Sequence, residues 1–361
     1  MKSPCATFVT GRLKLNCSKR RVLLWDEPMM NKRCFEALVR SLNDVMKTRA
    51  NYGNDRPFGG KVVVLGGDFR QILPVISKGS RADIVGSAVT SSYLWKYCKV
   101  MKMTVNMRLR SASSSASAAE IREFAEWILK VGDGTVDTID EDDTTIEIPS
   151  DLLIGQGPDP LLELVNFAYP DLVPNLESDW YFQERAILAP TLECVEQVNN
   201  YMLSKLPGVE RELILKEGVP IMLLRNIDQA GGLCDGTRLR VTHLTQYIIV
   251  ATVLSGIRLG KTEYIPRITL TPSDSGLPFK FSRRQFPVTL CFAMTINKSQ
   301  GQSLSHVGLY LPRPVFTHGQ LYVALSRVKS RKGPKVLIVD EQGVVSTSTR
   351  NVVYKEVFEN V

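Results

Sequence analysis

The stretch GGKVVVLGGDFRQILPV, residues 59–75, decides how the rest of the chain is read. Val62, Val63, Val64 and Leu65 have the composition of a buried strand. Gly66 and Gly67 end it, Asp68, Arg70 and Gln71 pass into a loop, and Pro74 stops the element. Open parallel sheets take ligands beyond the carboxyl ends of their strands, so polar side chains placed here are positioned to contact something. An ordinary strand and turn would explain this stretch equally well if it stood alone.

It does not stand alone. A second apolar run, Val22 to Trp25, ends in Asp26-Glu27 and is followed by Pro28 and a helical pattern with Phe35, Leu38 and Leu42 on one face. Adjacent carboxylates past a strand suit hydrolysis of a magnesium nucleotide. The first can hold Mg²⁺ through its water shell, and the second can orient or deprotonate the attacking water.

Further along, Val100 to Arg110 is a strand-like run closing on Asn106-Met107-Arg108. A Ser/Ala-rich joint then leads into a helical body over 120–131. A second α/β region begins at Arg185, with a strand over 186–188, a turn at Ala189-Pro190-Thr191 and a helix over 193–203. Alternating apolar runs at 219–224, 238–241 and 247–254, punctuated by glycines, are β-rich and barrel-like. A strand over 288–292 opens into AMTINKSQGQSL, residues 293–304. Hydroxyl, amide and cationic side chains around Gly301 suit a grip on phosphates. A helix over 319–328 then places Arg327 where a cation could reach a nucleotide, with a salt-bridged surface arginine as the plainer reading.

Composition sets the limits. The chain has 361 residues, 44% of them hydrophobic, enough for two domains and an insert. It contains no apolar run of the length a membrane span needs, and its first residues lack the order of a secretory signal, so a soluble intracellular protein without a membrane partner is expected. Seven cysteines without a Cys-x-x-Cys pair, and three histidines, suggest neither a zinc site nor a disulfide framework. The net charge of +8 is unevenly spread: residues 131–184 hold fourteen Asp or Glu and no Lys or Arg, which leaves the remainder strongly basic. Such a remainder attracts a polyanion, and the acidic stretch reads as a solvated linker.

GGDFRQILPV, NMR, LAPTLECVEQVN, TINKSQGQSL and YVALSRV occur in an order and spacing that resemble the Pif-type (petite integration frequency) ATP-dependent DNA helicases, RecD-related members of superfamily one. The plant Helitron-like group is the nearest in look. The resemblance runs from about residue 20 to 340. It implies an α/β fold of two RecA-like P-loop NTPase-type domains with a small β-barrel insert, the first domain truncated and without its phosphate loop. The expected boundaries are 1–110 for that first domain, 111–184 for the joint and acidic linker, 185–225 with 286–345 for the second domain, 226–285 for the insert and 346–361 for a tail.

The resemblance also implies roles. Asp26 and Glu27 match the pair that binds Mg²⁺ and activates water, Asp68 and Gln71 lie in the motif whose glutamine senses the γ-phosphate, and Gly301 belongs to the nucleotide-facing loop. Arg108 and Arg327 match two arginine fingers. Thr191, Thr295, Lys298, Ser299 and Gln300 match positions that face single-stranded DNA or couple it to ATP. The resemblance further implies movement 5′ to 3′ along DNA, with ATP as substrate, and single strands and duplex junctions as the DNA partners, in repair, recombination and telomere maintenance. A monomer in the nucleus is expected, with an organelle as the alternative.

Two departures stand beside the resemblance. The phosphate-loop pattern G-x-x-x-x-G-K-[ST] does not occur, and the one Gly-Lys-Thr, Gly260 to Thr262, reads as a hairpin turn in the insert. Asp26-Glu27 runs directly into Pro28-Met29, one residue shorter than in the group it resembles. The expectation is therefore a helicase sequence whose isolated chain turns over little or no ATP, with a catalytically dead single-stranded-DNA-binding remnant as the alternative.

Overall fold

The computed structural model describes residues 22–27, 29–47, 56–104, 115–139, 144–206, 215–271, 282–340, 342–359 and 361. The chain divides into two compact units. The first comprises residues 1–148, 314–326 and 348–361; the second comprises 149–313 and 327–347.

In the first unit, β1 (Val22–Asp26) and β2 (Val62–Gly66) pair in parallel, with Asp26 opposite Gly66. Parallel partners need a crossover, which α1 (Lys32–Lys47) supplies. Its apolar stripe buries Phe35, Val39 and Leu42, where the sequence pattern had pointed to Leu38 as the middle member. Phe35 packs against Trp25 at 5.0 Å between ring centroids, together with Leu65 and Trp95. The other strand face keeps Val22, Leu24, Val62 and Val64 exposed. The short helix α2 (Arg81–Ser87) opens on a capping box between Ser80 and Asp83. Helix α3 (Ser115–Asp133) contains the expected 120–131 body. Residues 101–104 form no strand, and 105–110 lie outside the described residues. Strand β3 (Thr145–Glu147) pairs antiparallel with β16 (Ser348–Arg350), so part of the acidic stretch is sheet. Helix α7 (Gln320–Ser326), buried along its whole length, packs on α3.

In the second unit the acidic stretch again carries structure. Helix α4 (Pro160–Ala168) is capped by Asp159, and α5 (Asp179–Gln183) by Ser178. The central sheet runs β12-β4-β13-β14-β15: Ala293–Thr295, Arg185–Ala189, His306–Leu311, Pro334–Val339 and Val345–Ser346. The first four strands are parallel and β15 is antiparallel. Strand β4 is apolar and buried from Ala186 to Ala189, as a central strand covered on both faces should be. Helix α6 (Leu192–Lys205) lies on β4 and β12, and α4 lies on β13 and β14. A Cβ at Gly308 would stand 3.1 Å from Leu164, so glycine lets α4 approach the sheet closely.

Between α6 and β12 the chain forms an antiparallel sheet in the order β11-β5-β6-β7-β8: Val288–Leu290, Pro220–Leu223, Arg238–Leu244, Ile248–Val253 and Thr262–Pro266. Strands β9 (Ile268–Leu270) and β10 (Arg283–Gln285) pair beside it. The strands of this insert begin at 220 and end at 290, wider than 226–285, because β5 and β11 pair with each other. The Gly-Lys-Thr run closes the β7–β8 hairpin, with Gly260 N–H donating to the Val253 carbonyl at 2.9 Å.

Candidate functional site

In the first unit the polar residues gather past the carboxyl ends of β1 and β2. Asp26 is half-buried at the last position of β1, and burial raises its pKa against the pull of the Glu27 backbone N–H. Glu27 is exposed and turns the chain away at once: its φ is +52°, left-handed for a non-glycine residue, and its N–H donates to the Gly66 carbonyl at 2.8 Å. A single carboxylate of this kind fits Mg²⁺, which takes one or two carboxylates together with substrate phosphates. No group of three metal-ligating side chains occurs among the described residues.

Past β2, Asp68 and Gln71 are both buried and close a tight turn, Gln71 N–H to the Asp68 carbonyl at 3.0 Å. The turn is held from three sides. Tyr322 of α7 donates its hydroxyl to Asp68 Oδ2 at 2.5 Å. Arg70 bonds Asp133 at the end of α3 through Nε at 2.7 Å and Nη2 at 3.3 Å. His318 bonds the Phe69 carbonyl through Nε2 at 2.7 Å, while its Nδ1 accepts from the Tyr354 N–H at 2.8 Å. That acceptor role fixes the neutral tautomer with the proton on Nε2. Gly319 adds a close approach, since a Cβ there would stand 2.2 Å from the Arg70 carbonyl oxygen.

In the second unit the candidate residues gather at the carboxyl ends of β4 and β12. The chain's neighbours diverge there, β12 lying on one side of β4 and β13 on the other, which is where sheets of this type leave a crevice. Thr295 ends β12 directly opposite Ala189. Thr191 caps α6, its hydroxyl oxygen accepting from the Cys194 N–H at 3.4 Å. Lys298 points its ammonium at Asp235 of the insert, 2.7 Å away. Gln300 is half-buried, and Gly301 is exposed with φ +75°. Ser299 is fully buried and donates its hydroxyl to the Ile296 carbonyl at 2.6 Å, supporting the turn from inside. Arg327, also buried, donates Nη1 to the carbonyls of Ser299 at 3.4 Å and Gln302 at 3.3 Å, so its guanidinium is bonded to this loop. Arg108 lies outside the described residues.

Sequence reading had passed over Asp133, His318 and Tyr322 as supports of the 68–71 turn, and Asn199 and Asp235 as neighbours of the 293–301 segment. Only the tight Asp235-Gly236 turn carries a local signal.

Residues 4–142 match the PIF1-like helicase family model, and residues 202–244 match that of the DNA helicase Pif1 2B domain. Over those residues the chain resembles the PIF1-like helicase family. The ATP-dependent DNA helicase PIF1 of Homo sapiens is 29% identical over 335 residues, which take in 91% of this chain and 47% of that protein. Its Xenopus laevis counterpart is 29% identical over 301 residues, 82% of this chain and 44% of that one. The chain thus spans about half the length of the curated relatives it matches. Among solved structures, Bacteroides Pif1 bound to ssDNA superposes with a TM-score of 0.59 at 22% identity, over 91% of this chain and 73% of that one. The Candida albicans Pif1 helicase superposes with a TM-score of 0.57 at 21% identity, over 94% and 76%. These likenesses show the fold alone, an α/β arrangement of RecA-like domains. The 2B-domain match falls on the end of α6 and on β5 and β6, the start of the insert.

Proposed function

We propose that this sequence encodes ATP-dependent 5′-to-3′ DNA unwinding of the Pif type, with single-stranded DNA held at the carboxyl edge of the second unit's sheet. One observation carries the reading. In a chain similar to this family, Thr191, Thr295, Lys298 and Gly301 gather at the ends of the adjacent strands β4 and β12. Lys298 supplies a cation and Gly301 an open backbone, the two contacts that phosphate oxygens accept. Asp26 would hold Mg²⁺ with the nucleotide phosphates, Glu27 would orient the attacking water, and Asp68 with Gln71 would respond to the γ-phosphate. Arg108 is a finger in this reading. Arg327 either acts as the second finger or steadies the 299–304 loop for one, and its bonds to Ser299 and Gln302 support the steadying role.

A second reading is favoured by the absence of a G-x-x-x-x-G-K-[ST] run from these 361 residues and by the hairpin placement of Gly260 to Thr262. In it the chain, acting alone, binds single-stranded DNA without turning over ATP. A Helitron-type origin, a nuclear or organellar setting, a monomeric state and roles in repair, recombination and telomere maintenance belong to the proposal. Imaging of a tagged chain outside both compartments would remove the cellular part.

ATP hydrolysis by the 361-residue chain, with and without single-stranded DNA and with Glu27→Gln as control, tests both readings. DNA-stimulated turnover abolished by the substitution supports the enzyme. DNA binding without turnover supports the second reading, and loss of both sinks the DNA assignment.

A further inference from the structure

Lys298 is the cation through which the proposed DNA site would grip a phosphate, and it already holds an anion of this chain. Its Nζ lies 2.7 Å from Asp235 Oδ2, and both side chains are about 40% exposed. Asp235 is not on a loose loop. It sits in a tight turn at the end of the β5–β6 connection, where Gly236 takes φ +86° and donates its N–H to the Leu223 carbonyl at 2.9 Å. The Asp235 N–H donates to Asn226 Oδ1 at 2.9 Å, and the Cys234 N–H to Thr237 Oγ1 at 3.1 Å. Both flanking strands are paired on each side within the five-stranded sheet. The carboxylate is therefore presented from a braced turn. Lys298 occupies the short turn after β12, itself braced by Ser299.

We propose that Asp235 is an intramolecular stand-in for a DNA phosphate: it occupies Lys298 in the DNA-free chain and must release it when a phosphate arrives. This rests on the DNA-site reading above. The physics is a competition for one ammonium. A second anion brought to Lys298 while Asp235 stays bound would face a like charge only a few ångströms away, so the incoming phosphate displaces the carboxylate. Because the pair is partly exposed, the contest is modest and salt-sensitive. The insert thus lowers the affinity of the loop for DNA and makes its grip depend on whether the β5–β6 turn is seated against Lys298.

The test is fluorescence-anisotropy titration of a labelled oligothymidylate with the 361-residue chain across a salt series, using wild type, Asp235→Asn, Asp235→Glu, Lys298→Gln and the Asp235→Asn/Lys298→Gln double variant. Thermal melts confirm that each variant folds. Asp235→Asn is expected to bind about two- to fivefold more tightly than wild type at low salt, the range that rupture of a partly exposed pair allows. Asp235→Glu, which keeps the charge, stays near wild type. Lys298→Gln weakens binding and lowers the salt slope by about 1, as loss of one phosphate contact requires. In the double variant the gain from Asp235→Asn disappears. If Lys298→Gln weakens binding but Asp235→Asn leaves it unchanged or weakens it too, the stand-in idea is overturned and the DNA-site reading survives. If Lys298→Gln has no effect, both fall together.

Discussion

Tyr322 donates its phenolic hydroxyl to Asp68 across 2.5 Å, joining residues 254 positions apart in the chain. Asp68 is buried, so this bond and the one to Arg70 do much of the work of keeping its charge solvated within the unit. A hydrogen bond to a buried charge is worth about 1.5–3 kcal/mol. Tyr322→Phe, which keeps the ring and removes only the hydroxyl, is expected to lose that much in urea unfolding with an unchanged m-value. A loss under about 0.5 kcal/mol, the scatter of ordinary surface changes, would mean that Asp68 does not depend on Tyr322.

His318 gives the first unit a pH dependence of defined sign. Burial holds its pKa below the usual 6.5, against the opposing pull of the Phe69 carbonyl and Asp68. The unfolded chain therefore takes up this proton at a higher pH than the folded one does. The stabilisation is fully present above about 6.5 and is lost as pH falls from there toward the depressed folded value. His306 in the second unit, likewise lowered by burial and by Arg185, contributes with the same sign. Comparing the slope of Tm against pH in wild type and His318→Gln isolates the first effect. The variant should melt lower at pH 8 and show a flatter slope between pH 5 and 7. An unchanged slope would show that protonating His318 costs the fold nothing.

Gly319 is fixed by backbone geometry. Its φ of +75° costs an L-residue about 1–2 kcal/mol, and a Cβ would also stand 2.2 Å from the Arg70 carbonyl oxygen and 2.9 Å from that of Gln71. Gly319→Ala should therefore destabilise the chain by more than the conformational cost alone, because the obstacle is backbone and cannot rotate aside. A denaturant midpoint within error of wild type would show that the 70–71 turn is free to move.

The elements that could be read from sequence are those whose reason is local. The apolar runs of β1, β2 and β4, the stripe of α1, and the Gly-Lys-Thr hairpin follow from residue type and period alone. The acidic stretch misled for a physical reason. Its carboxylates do local structural work that net charge conceals: Asp159 caps α4, Asp179 pairs with Arg240 at 2.5 Å, and Asp133 holds Arg70. The candidate residues past β1, β2 and β4 were visible because strand ends announce themselves, and those at 295–301 because of their composition; the strand expected over 288–292 is β11 (Val288–Leu290), and β12 begins only at Ala293. The supports of these candidate residues were not visible, because Tyr322, His318 and Asn199 act across 254, 249 and 94 positions and leave no mark in any short window.

Asn199 provides the sharpest separation of stability from site geometry in the second unit. It is buried in α6, where its Oδ1 accepts from the Ala293 N–H at 2.9 Å and its Nδ2 donates to the carbonyls of Leu290 at 3.1 Å and Ala293 at 3.3 Å. Those bonds pin the point where the chain leaves β11 and enters β12, two residues before Thr295. Asn199→Leu fills similar space but strips the Ala293 N–H of that acceptor, at a cost of about 1–3 kcal/mol for a buried donor left unpaired. The β12 end should shift with it, so oligonucleotide affinity should fall as well as the unfolding midpoint. Ile249→Val in the insert core, expected to cost about 0.5–1.5 kcal/mol, supplies the control: it should lower the midpoint and leave affinity unchanged. Equal affinity in both variants would mean that the position of β12 does not set the proposed DNA site, and that Thr295 and Lys298 are held by their own loop alone.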